Sequence, residues 1–397
     1  SDEEKKLQDW LCAPDCSTNF SAALNKRVDG TGQWIFEDPT YLEWRKNGSI
    51  LWIQGQAGSG KTFLITSIIE GLQETAVSTL LTIYHYFDTR DNTEAKTSFQ
   101  GLLLSFLSQL GVQNQKIHPE LKNLHEASKS GLSHFKPTNK KLMNTLIKIS
   151  RDLVQKEYQV YMIIDALDEC KEMDKVWEFC EQISKLHSIG IIISSRNYQP
   201  KFSTYPAISL WKNSMVDEDI AIFLNEQVSF KSTALNTKVT STLMEKADGG
   251  FRYIDCQLQL LKGSANAKRV HKVLAELPSS LKEIYLNAIE KCKNSSYSEE
   301  AHHLLLWLLY SFEPLYMSQV AIILSIDLNS REIESDAAML IGLEEIIDTT
   351  LVTVDNKNIV QLSHASVKEF LLESKTNQFI NINAQLAHNI IAQMCLI

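Results

Sequence analysis

The segment 55–62 limits the possible folds of this chain more than any other feature of its sequence. It reads Gly-Gln-Ala-Gly-Ser-Gly-Lys-Thr, which is a complete G-x-x-x-x-G-K-[ST] phosphate loop. The apolar run 50–53 precedes this loop, and residues 63–70 after it have the apolar spacing of a helix. Strand, loop and helix thus follow in the order that places bound phosphates at a helix N-terminus. Because an ordinary glycine-rich turn needs no such order, the pattern predicts a nucleoside triphosphate site.

The phosphate loop, defined here as residues 55–62, supplies most of the predicted nucleotide contacts. Its glycines allow backbone N–H groups to close around phosphates, Lys61 can neutralise their outer charge, and the Thr62 hydroxyl can bind Mg²⁺. The predicted contacts in and beside the loop are Gly55, Gln56, Ala57, Gly58, Ser59, Gly60, Lys61, Thr62 and Phe63.

Composition narrows the class of protein and its location. The 397 residues are too many for one ordinary core and predict two to four domains. A net charge of −9 argues against bulk electrostatic binding to nucleic acid or to an anionic membrane. No apolar run reaches the length of a membrane span. The seven cysteines are an odd number scattered through apolar contexts, which is typical of reduced thiols, so we expect a cytoplasmic protein with no membrane or nucleic-acid partner.

Strand-like apolar runs alternate with amphipathic helical stretches between residues 49 and 210. The predicted strands are residues 50–54, 80–87, 159–164, 189–194 and 207–210. This alternation predicts an α/β P-loop NTPase fold, with a five-stranded parallel sheet, flanking helices and a ligand at the carboxyl ends of the strands.

The pattern becomes helical after residue 210, and it ends in a region where helices precede a β-rich pair of segments, 351–354 and 359–362. Helices followed by a hairpin predict a winged helix. A helix is also predicted to begin after Ser280 as its N-cap. The predicted division is a lead-in segment packed on the nucleotide domain, a nucleotide-binding domain, a helical domain, and a winged helix with the start of a C-terminal helical region; these span residues 1–48, 49–212, 213–276 and 277–397.

A second acidic motif follows the predicted strand that ends near Ile164. Asp165 is placed to hold Mg²⁺ at the edge of the sheet. Asp168 and Glu169 come just after it, where they either activate a water that attacks the γ-phosphate or support the metal ligands. Arg196, after the next predicted strand, can contact the γ-phosphate through a charge-assisted bond, although an exposed loop arginine would look the same in sequence.

These motifs together resemble the NACHT-type nucleotide-binding domain of the STAND class of P-loop ATPases. The resemblance extends over nearly the whole chain to the fungal branch of that class, whose members are NOD-like receptors. The segments that carry it are residues 11–15, 32–34, 55–62, 165–169, 194–196, 247–251 and 362–371. Ala166 stands where many relatives have glycine, and this exchange of one small residue for another is expected to leave Asp165 in place.

The resemblance implies roles that the composition does not. It implies that ATP or ADP binds with Mg²⁺, that Gly250 and Phe251 shape the adenine pocket, and that His364 of the winged helix contacts the β-phosphate. It further implies that ADP holds a closed monomer, whereas ATP favours an open form that self-associates through its nucleotide domains and hydrolyses ATP slowly. An N-terminal effector region and C-terminal repeats flank such cores in the family, and neither is visible in this chain.

Two other functions remain open from the sequence. A ring-forming ATPase that remodels a substrate would share these motifs but needs a steady turnover of about one per second or more. A scaffold that binds nucleotide without hydrolysing it would need none of the acidic side chains for catalysis. A small-molecule kinase is disfavoured because no acceptor-substrate or lid motif is found.

Overall fold

The computed structural model divides the chain into two compact units. The first unit comprises Ser1–Asp88 and Ala95–Leu258, and the second comprises Thr89–Glu94 and Gln259–Ile397. The structure describes residues 2–75, 77–91, 93–113, 116–129, 137–196, 204–247, 249–264, 266–328, 330–333, 341–355, 357–373 and 384–397. The finer division into four predicted domains stays a prediction.

A five-stranded parallel sheet forms the centre of the first unit. The strands of this unit are, in chain order, β1 (Ser49–Gln54), β2 (Leu80–Tyr86), β3 (Val112–Gln113), β4 (Lys116–Ile117), β5 (Gln159–Asp165), β6 (Ile189–Ser195) and β7 (Ala207–Ser209). The order in the large sheet is β2-β5-β6-β1-β7, whereas β3 and β4 form a separate short antiparallel pair. The predicted fold class is therefore confirmed.

The three central strands are apolar along almost their whole length because both faces of the sheet are covered. Every residue of β6 is buried, and in β5 only the first residue is partly exposed. The helices of the first unit are α1 (Asp2–Leu11), α2 (Ser17–Lys26), α3 (Pro39–Asn47), α4 (Lys61–Gln73), α5 (Phe99–Gly111), α6 (Pro119–Lys129), α7 (Asn139–Gln155), α8 (Met173–Ile183), α9 (Ser214–Gln227), α10 (Thr233–Ala247) and α11 (Phe251–Lys262), the last of which continues into the second unit. Short 3₁₀ helices occupy Gln33–Glu37 and Leu167–Glu169.

Helix α7 shows how the sequence positions these helices. Leu142, Leu146, Ile149 and Leu153 lie on one face and are all buried, which is the i, i+4, i+7 spacing of an amphipathic helix. The Thr138 hydroxyl begins the helix by accepting a hydrogen bond from the Lys141 N–H group.

The second unit is helical with small antiparallel sheets. Its helices are α12 (Ala267–Ala275), α13 (Leu281–Lys293), α14 (Ser298–Tyr310), α15 (Met317–Leu324), α16 (Leu343–Ile346), α17 (Ala365–Glu373) and α18 (Ala384–Cys395). Its strands are β8 (Leu315–Tyr316), β9 (Ile326–Asp327), β10 (Glu332–Ile333), β11 (Val352–Val354) and β12 (Ile359–Leu362). Helix α13 begins at the predicted cap, where the Ser280 hydroxyl accepts from the Glu283 N–H group.

The predicted hairpin is the pair β11 and β12, and β8 extends it to a three-stranded sheet. Helices that precede such a small sheet form the predicted winged helix. The sequence pattern missed β8 because two residues are too few to show alternation. Within the described part of the chain, no helix combines the length and apolar character needed to span a bilayer.

Candidate nucleotide-binding site

The register of the sheet brings the predicted nucleotide-binding residues to one edge. Gln54 at the end of β1 lies opposite Ser195 at the end of β6, and Ile164 of β5 lies opposite Ile193 of β6. The phosphate loop begins directly after Gln54, and Asp165 is the last residue of β5. The loop and the acidic residue therefore meet at the carboxyl ends of neighbouring parallel strands, as predicted.

The phosphate loop adopts a conformation that depends on its glycines. Gly58 and Gly60 have φ values of 76° and 90°, in the left-handed region that favours glycine. A Cβ atom at Gly60 would lie 3.0 Å from the Phe251 ring, and one at Gly58 would lie 2.5 Å from Arg252 Cβ. Helix α4 begins at Lys61, the seventh residue of the loop, so its N-terminal N–H groups face the loop interior.

The Lys61 side chain is folded back against the phosphate loop. Its Nζ donates to the carbonyl oxygens of Gly55 at 2.7 Å and Gln56 at 2.8 Å. Burial lowers the pKa of Lys61, and the charges of Asp168 and Asp165 oppose this effect. The ammonium group therefore lies among loop carbonyls in a largely dry environment, where a phosphate would strengthen the charged form.

Asp165 receives one hydroxyl on each carboxylate oxygen. Thr62 Oγ1 donates to Asp165 Oδ2 at 2.7 Å, and Ser194 Oγ donates to Asp165 Oδ1. The carboxylate is 3% exposed, and burial raises its pKa, although both hydroxyl bonds act in the opposite direction. The two residues predicted to hold the metal, Thr62 and Asp165, are thus in direct contact.

Asp168 and Arg196 form an ion pair with each other. The Arg196 backbone N–H group donates to Asp168 Oδ1 at 3.1 Å, and Arg196 Nε pairs with Asp168 Oδ2. Only 19% of the Asp168 side chain and 23% of the Arg196 side chain are exposed. The sequence predicted both residues at the site but not this pairing. Glu169, the third predicted acid–base residue, is half-buried at the end of the 3₁₀ helix that follows β5.

The turn after Asp165 has a backbone conformation that favours glycine at position 166. Ala166 has φ 55° and ψ 48°, which is left-handed backbone. Its N–H group donates to Ser194 Oγ at 2.9 Å, and this bond holds the turn closed. Alanine in place of glycine is therefore not a neutral exchange at this position. In the left-handed conformation alanine lowers the stability of the fold by about 1–2 kcal/mol relative to glycine.

Ala166→Gly is expected to stabilise the protein slightly. Relief of the left-handed strain exceeds the added entropy of the unfolded chain, which leaves a gain of about 0.5–1 kcal/mol and raises the unfolding midpoint by about 2 °C. Thermal unfolding followed by circular dichroism measures it. Ala221→Gly in α9 is the matched control and should lower the midpoint, because glycine inside a helix costs about 1 kcal/mol. A lower midpoint for Ala166→Gly would contradict the strain argument.

Of the two predicted adenine-pocket residues, Phe251 lies against the phosphate loop, whereas the Gly250 N–H group donates to the Ala247 carbonyl. Phe251 is the first residue of α11, and its ring packs on Gly60 and, edge to face, on Phe223 with centroids 5.9 Å apart. The next residue, Arg252, donates its backbone N–H group to the Gly58 carbonyl at 3.1 Å. The sequence motifs did not single out Arg252, although its position directly after Phe251 was an available signal. The roles of Gly250 and Phe251 toward adenine stay predictions.

The lead-in segment is fixed to the same unit by two charged residues that the sequence did not single out. The Asp219 carboxylate in α9 accepts from the Gly32 N–H group and from Trp34 Nε1, both at 2.9 Å. Arg27 donates to Ser67 Oγ at 2.7 Å and pairs with Glu70 at 2.5 Å, both on α4. The lead-in segment is therefore tied to α9 through its 32–34 motif and to α4 through Arg27.

His364 lies in the second unit, in the turn that joins β12 to α17. The Ser366 N–H group donates to His364 Nδ1 at 3.1 Å, and Ser366 Oγ lies 2.7 Å from the same nitrogen. Because Nδ1 accepts from a backbone amide, the proton of the neutral ring is on Nε2. A contact between His364 and a phosphate stays a prediction.

The residues at the edge of the sheet fit a nucleotide with its metal. Ser59 Oγ is a buried hydroxyl for which the described residues supply no hydrogen-bond partner, and it lies inside the loop beside Gly55. A phosphate oxygen would satisfy it. A hydroxyl and a carboxylate 2.7 Å apart, as in Thr62 and Asp165, are the hard oxygen donors that Mg²⁺ prefers.

Comparison with known proteins supports the family resemblance that the motifs indicate. The family model described as Nephrocystin 3, N-terminal, matches residues 30–196. The family model described as GPI inositol-deacylase, winged helix domain, matches residues 289–384. The vegetative incompatibility protein HET-E-1 of Podospora anserina is 24% identical over 384 residues, which cover 90% of this chain and 27% of that protein. The chain thus spans about a quarter of the length of this relative. These matches confirm the resemblance that the motifs indicated.

Solved structures match this chain only at low similarity. Domain III of the Thermotoga maritima replication initiation protein DnaA is 14% identical with a TM-score of 0.33, over 68% of this chain and 95% of that one. The Aeropyrum pernix ORC1 protein in complex with DNA is 10% identical with a TM-score of 0.38, over 87% of this chain and 97% of that one.

Proposed function

We propose that this chain, a nucleotide-binding P-loop NTPase of the fungal NACHT type, is the switch module of a NOD-like receptor. ADP with Mg²⁺ holds a closed monomer, and exchange for ATP favours an open form that self-associates through its nucleotide domains. Hydrolysis is slow and returns the module to its resting form. Effector and repeat regions of a longer receptor are its proposed covalent partners, and its cytoplasmic location stays a prediction.

The proposal rests on one observation, which is that the phosphate-binding part of the site is already formed. Lys61, Thr62 and Asp165 are already held in mutual reach by hydrogen bonds, and the loop glycines have the conformation that a phosphate cradle needs. When bound, Mg²⁺ would be held by Thr62 and Asp165 and would neutralise charge on the phosphates. Lys61 would exchange its loop carbonyls for phosphate oxygens, which are stronger acceptors.

The hydrogen bonds around His364 support its predicted role in the resting form. With Nδ1 accepting from Ser366, the ring presents its N–H group at Nε2 and can donate to a phosphate while neutral. Tyr285 Oη lies 2.9 Å from Ser366 Oγ, so α13 and α17 both fix the ring orientation. A closed state that is controlled by nucleotide requires a hydrogen-bond donor with a fixed direction toward the phosphate.

A switch is favoured over a continuously working ATPase by the pairing of Asp168. In the described structure this carboxylate is bound to Arg196 and does not have both oxygens available to activate water. The same pair holds Arg196 by its Nε, so Asp168 restricts the directions in which the guanidinium can reach a γ-phosphate. A site that rests in a paired arrangement suits slow hydrolysis controlled by rearrangement.

His364→Ala tests the switch directly. Loss of a hydrogen bond to a charged phosphate costs about 1.5–3 kcal/mol, so ADP affinity should fall by about 10–150-fold. We expect wild-type protein to retain ADP through purification as a monomer, and the variant to lose ADP and shift toward larger species. Chromatography of the nucleotide released on denaturation and light scattering measure the two effects.

The exposed His271 in α12 supplies the matched control, because His271→Ala should leave retained ADP and size unchanged. A His364→Ala variant that keeps wild-type ADP affinity and remains monomeric would overturn the winged-helix contact. Steady phosphate release at about one per second or faster would favour the remodelling ATPase instead.

A further inference from the structure

Ser194 is fully buried at the end of β6, and its single hydroxyl makes two hydrogen bonds. It donates to Asp165 Oδ1 and accepts from the Ala166 N–H group at 2.9 Å. Both partners belong to the neighbouring strand and the turn that leaves it. One side chain of β6 therefore contacts the predicted metal-binding carboxylate and the backbone directly after it.

We propose that Ser194 is a positioning residue that orients Asp165 for Mg²⁺. The inference rests on the proposed nucleotide site and adds a residue to it. A carboxylate can turn about its terminal bond, which has a broad energy profile, so one hydrogen bond does not fix both oxygens. Thr62 holds Oδ2 and Ser194 holds Oδ1, so Asp165 keeps one orientation before any metal arrives. Residues that orient metal-binding groups typically contribute about 10–100-fold to metal affinity.

The burial of Asp165 makes the second donor necessary. A carboxylate that is 3% exposed has little water to satisfy its oxygens, and a buried oxygen without a donor would cost free energy. The Ser194 hydroxyl supplies the donor for Oδ1 and thereby keeps the carboxylate in one orientation.

The adjacent serine has a different role, which separates Ser194 from general packing. Ser195 Oγ accepts from Trp52 Nε1 at 2.8 Å, on the opposite face of the strand as expected for alternating side chains. Only Ser194 of these two hydroxyls reaches Asp165.

The test compares the gain in ADP affinity that Mg²⁺ produces, measured by calorimetry with Mg²⁺ and again with EDTA. In wild type we expect a clear gain. In Ser194→Ala the affinity in EDTA should stay near wild type, whereas the gain from Mg²⁺ should fall by about 10–100-fold. Ser105→Ala is the control, since its buried hydroxyl also makes hydrogen bonds but contacts Cys16 and Gln109 and not Asp165, and it should keep the full gain.

Asp165→Asn identifies the residue through which Ser194 acts. In the Asp165→Asn background, adding Ser194→Ala should not reduce the Mg²⁺ gain further, because the carboxylate is already absent. If Ser194→Ala alone is too unstable to purify, the double variant should be more stable than it, since the buried charge that needs the donor has been removed. A double variant that is no more stable would overturn the proposal.

The outcomes separate this inference from the function beneath it. An unchanged Mg²⁺ gain in a folded Ser194→Ala variant overturns the positioning role and leaves the nucleotide site intact. Equal loss of affinity with and without Mg²⁺ overturns it as well, because it indicates a merely structural role. Absence of nucleotide binding by wild type overturns the proposed function and the inference together.

Discussion

Lys61→Ala is expected to weaken binding of both ADP and ATP by about 100-fold. Each hydrogen bond from the ammonium group to a phosphate oxygen is charge-assisted, and such bonds contribute about 1.5–3 kcal/mol. At about 1.4 kcal/mol for each tenfold change, one to two lost bonds give this factor. Burial lowers the pKa of Lys61, and a bound phosphate would oppose that effect, so phosphate binding and the charged form of Lys61 favour each other. Calorimetric titration with each nucleotide measures the loss.

The control for Lys61→Ala is Lys148→Ala, which removes an exposed lysine paired with Glu120 elsewhere in the first unit. This variant should bind nucleotide as wild type does. Because Lys61 Nζ also bonds the carbonyls of Gly55 and Gln56, thermal unfolding without nucleotide must accompany the titration. A folded Lys61→Ala variant with wild-type affinity would remove the phosphate loop from the proposed site.

The sequence predicted the sheet and the position of the site because both depend on local patterns. The apolar runs that became β1, β5 and β6 needed no partner to be recognised, since strands covered on both faces are apolar throughout. The phosphate loop was equally local, because its glycines and Lys61 lie within eight consecutive positions. Parallel pairing then forces Asp165 to the same edge.

Contacts between distant segments were not predictable in the same way. Nothing near Asp219 shows that its carboxylate binds Gly32 and Trp34, which lie more than 180 positions earlier. The Asp168–Arg196 pair was unpredictable for the same reason, because the sequence places both charges at one edge of the sheet but does not indicate that they pair with each other. The left-handed conformation of Ala166 was not predictable either, since whether a residue adopts a positive φ depends on the turn and not on residue size.

The structure gives different surroundings to two acidic residues that the sequence could not separate, Asp168 and Glu169. Asp168 is held by the Arg196 backbone and guanidinium, so its first effect is to anchor Arg196. Glu169 comes one residue later and is half-buried. Because Asp168 is engaged with Arg196, we propose Glu169 as the general base and Asp168 as a positioning residue.

Glu169→Gln should reduce single-turnover ATP hydrolysis by at least about 100-fold while nucleotide affinity stays near wild type. A general base contributes about 10²–10⁴-fold, and the amide keeps the shape of the side chain but cannot take a proton. Glu178→Gln, an exposed substitution in α8, is the control and should hydrolyse ATP at the wild-type rate. Quenched-flow measurement of phosphate from bound ATP separates the chemical step from product release.

Asp168→Asn should act differently from Glu169→Gln if Asp168 anchors Arg196. Loss of a mostly buried charge leaves the guanidinium without its counterion, and we expect about 1–2 kcal/mol of lost stability, measured by denaturant unfolding. Freed from Asp168, Arg196 can reach the γ-phosphate sooner, so the preference for ATP over ADP should rise. Equal loss of hydrolysis in both variants, with no change in stability or nucleotide preference, would instead make the two carboxylates a catalytic pair. The ratio of ATP to ADP affinity in Asp168→Asn therefore decides whether the Asp168–Arg196 pair restrains the switch or only supports its chemistry.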